Sequence, residues 1–172
     1  PDHVIVAVGA NRDAPEIQGK ELRHVFDGEQ LRGLLFGSDA TAIKKLSLFQ
    51  QLIIKIGTAS QLLRNITVLT LLSKVWMPLS KNIIIIGGDL VGLELAEFLI
   101  ERGRSVKVLE PSVSLGKNLS IVRRSRVVHL LREHGAELLT QVNIREITKD
   151  GVLYEHAEEV HLDQADQVII AM

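Results

Sequence analysis

The stretch NIIIIGGDLVGLELAEFLIERGRSVKVLE, Asn82 to Glu110, reads as a strand, a glycine turn, a helix and a second strand that closes on an acid. Four consecutive β-branched residues, Ile83 to Ile86, leave no polar side for water, so this strand must be buried on both faces. Gly87 and Gly88 then turn the chain. In the helix that follows, Leu93, Ala96 and Ile100 fall on one stripe, which Leu95, Phe98 and Leu99 widen. Glu94, Glu97, Glu101 and Arg102 supply the polar positions, so the helix should pack on a sheet. Gly103 stands where a left-handed C-terminal cap is wanted, and Val106, Val108 and Leu109 resume the strand pattern. A chain built on this unit is an α/β protein with a parallel sheet.

The same order is the first half of a dinucleotide-binding unit. The turn and helix start, Gly87, Gly88, Asp89, Leu90, Val91 and Gly92, would aim free amides and the helix dipole at a pyrophosphate. The Glu110 carboxylate could accept hydrogen bonds from a ribose diol, and it would repel a 2′-phosphate. This favours NAD(H), with NADPH as the second choice. One position departs from GxGxxG: its three glycine places hold Gly87, Asp89 and Gly92. Charges about 4 Å apart at an effective dielectric near 20 repel by on the order of 4 kcal/mol, unless the Asp89 side chain rotates into water. The turn therefore signals the fold more firmly than it signals tight binding, and a Rossmann-like unit without nucleotide stays open.

A hydrophobic content of 46% with only 3% aromatic residues is the aliphatic profile of buried parallel sheets. A formal net charge of -1 provides no field to attract nucleic acid or anionic lipid. Without cysteine, the 172 residues hold no disulfide, thiolate metal site, redox dithiol or cysteine-ligated iron–sulfur cluster. The six histidines show no metal spacing, and no serine, histidine and acid set suggests a triad, so no catalytic or metal-ligating residue is expected. No signal peptide opens the chain, and a cytoplasmic location is expected. It begins with a strand already under way and stops inside an apolar run, which reads as a fragment of a larger polypeptide.

Along the chain, Val4 to Val8 is an apolar strand, Ala14 to Gly19 a loop, and Leu22 to Gly37 a short strand followed by a helical turn. From Thr41 to Val75 the spacing predicts two amphipathic helices. Lys44, Lys45, Lys55, Arg64 and Lys74 leave no uninterrupted apolar run of roughly 18 residues, so a helical hairpin is expected rather than a membrane span. Beyond Glu110, Leu115 to Asn118 is loop. Ile121, Val127, Val128, Leu130 and Leu131 line a further amphipathic helix ended by Gly135. Leu138 to Thr140 is another parallel strand. Val142 to Ile147, Val152 to Tyr154 and Val160 to Leu162 form an antiparallel flap, with Asp150 and Gly151 as the first hairpin turn. Val168 to Ala171 is the closing buried strand. The fold class is a Rossmann-like three-layer parallel sheet with a three-stranded antiparallel flap and an inserted helical hairpin.

This succession, closed by DQVIIAM, resembles the NAD-binding domain of the pyridine nucleotide disulfide reductase superfamily. PDHVIVAVGA resembles the matching last strand of a preceding flavin-binding domain, and the insert ending in WMPLSKNIIIIGGDLVGLELAEFLIERG resembles the C-terminal part of old yellow enzyme-like NADH:flavin oxidoreductases and 2,4-dienoyl-CoA reductases. The resemblance implies three segments: 1–40 as a remnant of the FAD-binding domain, 41–78 as a helical insert, and 79–172 as the NAD(P)-binding domain. It implies a larger flavoprotein with FMN, an iron–sulfur cluster and FAD, none held by this fragment alone, in which hydride passes from NADH to FAD for onward reduction of an enoyl-type double bond. It assigns Gly87, Gly88 and Gly92 to the turn glycines, Glu110 to the ribose acid, and Glu94 to a glutamate on the nicotinamide side of the pocket. The fragment by itself would be inactive.

From the residues alone, Glu94 and Glu97 are equally well helix-surface charges, and Lys117, Arg123 or Arg124 could meet a phosphate or simply open a solvated helix. The expected partners are the remaining domains of the same polypeptide and a small-molecule nucleotide. The apolar hairpin and the orphaned first strand also offer surfaces for a homodimer. The alternative function is a non-enzymatic nucleotide-sensing Rossmann domain.

Overall fold

The computed structural model describes residues 15–31, 40–46, 51, 77 and 79–172 of the chain. The expected strand Val4 to Val8 and most of the expected helical hairpin lie outside these residues. The described elements are β1 (Val25–Asp27), α1 (Ala40–Lys45), β2 (Asn82–Ile86), α2 (Leu90–Ile100), β3 (Ser105–Leu109), α3 (Ile121–Glu133), β4 (Glu137–Leu139), β5 (Asn143–Thr148), β6 (Gly151–His156), β7 (Glu159–Gln164) and β8 (Gln167–Ile170). β1, β8, β2, β3 and β4 lie side by side in that order, all parallel, while β5, β6 and β7 form a separate antiparallel sheet. A Rossmann-like α/β fold with a three-stranded flap is therefore what the chain adopts.

The isoleucine run explains the layering. Ile83 and Ile85 face one way, into a core with Leu93, Ala96 and Leu99 of α2 and Val127 and Leu131 of α3. Ile84 and Ile86 face the other way, into a core with Ile147, Val152 and Tyr154 of the flap. Alternation on a strand covered on both sides demands apolar residues at every position, and Ile85 and Ile86 have no solvent-accessible surface left. Gly103 and Gly135 end α2 and α3 in the left-handed region, with φ of 70° and 82°.

β1 comes from the segment whose resemblance is to the end of a flavin-binding domain, and it forms the edge of this sheet beside β8, pairing Val25 with Val168. Arg23 donates to the carbonyls of Lys45 and Leu46 at 2.8 and 2.9 Å and so ties the end of α1 to this edge.

Two details differ from expectation. Residues 121–126 are all exposed, Ile121 at 84%, so the apolar stripe of α3 begins only at Val127. Leu115 and Leu119 of the preceding loop pack against the core instead. The first flap hairpin turns on Lys149 and Asp150, because Thr148 already pairs with Gly151. Gly151 is a strand residue, where a Cβ would lie 1.8 Å from the Asp163 carbonyl oxygen of β7. Close approach between strands, not turn formation, requires that glycine.

The flap is fastened to the parallel sheet by Lys107 of β3, whose Nζ lies 2.6 Å from both Asp163 and Glu137. Tyr154 also donates to Asp163 at 2.6 Å. Burial pushes the Asp163 carboxyl up, but bonds from Lys107 and Tyr154 and the ammonium charge outweigh it and hold the group below its ordinary value of 3.8. A depressed carboxyl stabilises the fold above its unfolded pKa, and that contribution disappears as pH falls through the folded one. Urea midpoints should therefore drop as pH falls below about 4 in the wild type. They should drop less in Asp163→Asn; an equal drop in both would remove the anchor from this account.

Candidate functional site

The strand order reverses at β2. The chain runs outward from β2 to β3 and β4, then returns through the flap to β8 on the other side of β2. Beyond the carboxyl ends of such strands a doubly wound sheet leaves a crevice. Here that crevice is a cleft of about 710 Å³, walled by Gly87 after β2, Glu110 after β3 and Ala171 after β8, with Asp89, Leu90 and Asn118 on its helix side.

The turn is built by steric necessity. Gly87 has φ of 109°, and a Cβ there would lie 2.6 Å from Met172 Cγ and 2.8 Å from the Ala171 oxygen. At Gly92 a Cβ would lie 1.9 Å from the Gly87 oxygen, so α2 crosses the end of β2 at a distance only glycine permits. Leu93 N donates to Asp89 O at 3.0 Å, the first bond of α2. The first-turn amides of a helix have no intrahelical acceptor and remain available to an anion.

Glu110 is buried, at 9% exposure, at the end of β3. One carboxylate oxygen accepts from Gly88 N at 2.5 Å and the other from Ser112 N at 2.8 Å. The acid is thereby fixed against the turn. Each oxygen retains a second lone pair for a hydroxyl entering from the cleft. One of the turn amides expected to meet a pyrophosphate, that of Gly88, is thus already engaged by the chain itself.

Asp89, half-exposed, turns its side chain toward the loop after β3. Its backbone is extended, with φ -88° and ψ -162°, which any residue adopts, and its side chain does not cap α2. The carboxylate accepts instead from Asn118 N at 3.0 Å, and a second, short bond joins it to Asn118 Nδ2. Burial pushes the Asp89 carboxyl up, but the two Asn118 bonds, a bond from the Leu90 backbone N–H and the Lys117 charge prevail and hold it below the usual carboxylate range.

Of the residues singled out in the sequence, Gly87, Asp89, Leu90, Val91 and Glu110 line the cleft. Gly88 and Gly92 are buried and shape it from beneath. Glu94 does not join them: it is exposed and paired with Arg123 of α3. That pair also engages Arg123, one of the cations considered for a phosphate. Ser112 and Asn118 were legible only as loop residues. Asn118 had no local signal, since its partner lies 29 positions away. Among the described residues no cluster of histidine, aspartate or glutamate could hold a metal, and no helix is long and apolar enough to cross a membrane.

The sequence profile of the family described as "Pyridine nucleotide-disulphide oxidoreductase" matches residues 1–172. Bilirubin reductase of Mediterraneibacter gnavus (strain CC55_001C) is 28% identical over 172 residues, covering 100% of this chain and 20% of that protein. Among solved structures, a 2-naphthoyl-CoA reductase complexed with 2-naphthoyl-CoA superposes with a TM-score of 0.66 at 21% identity, over 96% of this chain and 19% of that one. The water-forming NADH oxidase of Lactobacillus brevis, bound to NADH, superposes with a TM-score of 0.57 at 15% identity, over 95% of this chain and 29% of that one. At such identities the two structures show a shared fold. The chain spans about a fifth of the length of the bilirubin reductase it matches.

Proposed function

This chain belongs to the pyridine nucleotide-disulphide oxidoreductase family, and on that premise we propose that it is the NAD(H)-binding module of a larger flavin-dependent reductase. The observation that carries the reading is the position of Glu110, a buried acid held by Gly88 N and Ser112 N at the wall of the switch-point cleft. A carboxylate there can accept from the two hydroxyls of an adenosine ribose and disfavours a phosphate in place of either.

The residues present fit such a group in parts. The glycine turn, the open first turn of α2 and Glu110 suit the ribose and the near side of a diphosphate, whereas the Asp89 carboxylate opposes the far side. Bound NADH would supply a hydride to FAD, for onward reduction of an enoyl-type substrate by other domains of the same polypeptide. FMN and an iron–sulfur cluster would belong to those domains. Within these residues the work of the chain is to bind, orient and select: Gly87 and Gly92 set the approach, and Glu110 reads the sugar. Segment 1–40 would be a remnant of the preceding FAD-binding domain and 41–78 a helical insert, and Glu94, paired with Arg123, would act at most from outside the cleft. The name of the bilirubin reductase relative supports a reductase.

Isothermal titration of the chain with NADH, NADPH, ADP and S-adenosylmethionine tests the reading. NADH should bind about 10-fold or more tightly than NADPH, as one charge repulsion of about 1.4 kcal/mol requires. Preference for S-adenosylmethionine, or no binding of any adenine nucleotide, overturns it. Binding without hydride transfer to added FAD-containing reductase domains would instead favour a nucleotide sensor.

A further inference from the structure

Asp89 occupies the place where the glycine motif has its second glycine, and it lines the same cleft as Glu110. The conformation of the backbone there does not call for glycine. The residue is therefore free to carry a side chain, and its carboxylate crosses to the loop between β3 and α3 to meet both the main-chain and the side-chain nitrogen of Asn118. A second tie lies alongside, where Gly116 N donates to the Gly88 oxygen at 2.7 Å. These contacts draw the 111–119 loop down onto the glycine turn at the helix end of the cleft.

We infer that the Asp89–Asn118 pair is a latch that holds this loop over the diphosphate-facing end of the cleft, and that nucleotide binding opens it. The inference rests on the nucleotide reading above. An anion approaching the start of α2 meets the Asp89 carboxylate, which already accepts from the Leu90 N–H, and two like charges cannot share that place while the carboxylate stays where Asn118 holds it. The carboxylate itself supplies the negative charge that the α2 N-terminus attracts, so the helix end of the cleft already carries a group of the same charge as its ligand. Asn118 and Asp89 together then set affinity: the latch lowers the apparent affinity by the fraction of molecules in which it is shut.

The test is ADP and NADH titration of the full chain in four forms: wild type, Asp89→Gly, Asp89→Asn and Asn118→Ala. Asp89→Gly should bind ADP and NADH about 10-fold or more tightly, and Asn118→Ala about 3-fold or more tightly. Asp89→Asn should change affinity less than Asp89→Gly, because a neutral amide still bonds to Asn118. If Asn118→Ala weakens binding while both Asp89 variants tighten it equally, the carboxylate acts only as a charge and the latch is wrong. If the variants match the wild type, it is equally wrong. If neither the wild type nor Asp89→Gly binds any adenine nucleotide, the nucleotide reading itself fails, which is a different outcome. Amide exchange in the wild type gives a readout independent of any variant: ADP should speed exchange at Asn118, and unchanged protection at saturation overturns the proposal.

Discussion

Glu110→Ala is expected to weaken NADH binding by roughly 10- to 100-fold and to lower the stability of the fold by about 2–4 kcal/mol. Both effects come from one carboxylate. The buried Gly88 N–H and the half-buried Ser112 N–H would each lose their acceptor, and an unsatisfied donor of this kind costs about 1–3 kcal/mol. The cleft would lose its acceptor for the ribose hydroxyls, and hydrogen bonds to a charged group contribute about 1.5–3 kcal/mol, or roughly 10- to 100-fold in affinity. Glu110→Gln separates the two roles. A glutamine oxygen can still receive one of the backbone amides, so the thermal midpoint should recover in part, while discrimination between NADH and NADPH should fall to near unity as the negative charge disappears. Retention of the discrimination in Glu110→Gln would show that something other than this acid reads the sugar.

The sequence made the central part of the fold legible because its signals are local. Ile83 to Ile86 can be satisfied only by cover on both faces, and cover on both faces is what α2, α3 and the flap provide. The pairings that escaped are non-local. The short strand expected within Leu22 to Gly37 forms as Val25–Asp27, but nothing local to it shows that it lies parallel to Val168, near the other end of the chain. On β7 the alternation did not disclose its own direction. Val160 and Leu162 point outward at 64% and 52% exposure, while His161 stacks on Tyr154 with ring centroids 5.4 Å apart and Asp163 reaches Lys107. The polar set is the inner one because its partners are already there, and those partners lie on other strands.

In the site the same division holds. Gly87, Gly92 and Glu110 were legible because a turn of this geometry needs those residue types at that spacing, whatever surrounds them. The destination of the Asp89 carboxylate was not, because sequence reasoning had offered it only water, and a loop asparagine carries no pattern. The occupation of Gly88 N by Glu110 was hidden for the same reason. A glycine motif records what the backbone turn requires, and the side-chain bonds that tie the turn to distant residues leave no mark in it.

Gly92→Ala provides the sharpest separation between the motif as architecture and the motif as binding site. Its added methyl would lie 1.9 Å from the Gly87 carbonyl oxygen and 3.5 Å from Ile85 Cγ2. The obstacle is backbone, which cannot turn aside as the end of a flexible side chain can. The start of α2 would have to retreat by about an ångström, dragging Leu93, Ala96 and Leu99 from a core in which none of them has accessible surface. Overpacking of this kind costs about 3 kcal/mol or more where the backbone must shift, so the midpoint in urea should fall sharply. Alanine is otherwise the better helix former, by about 1 kcal/mol, and a gain in stability would mean that α2 does not cross β2 as closely as the Gly87 contact requires. Because the displaced first turn of α2 also forms the helix side of the cleft, the surviving folded fraction should bind NADH more weakly. Asp89→Gly in the same background should leave the loss of stability in place, since the latch and the helix crossing are separate constraints on one turn.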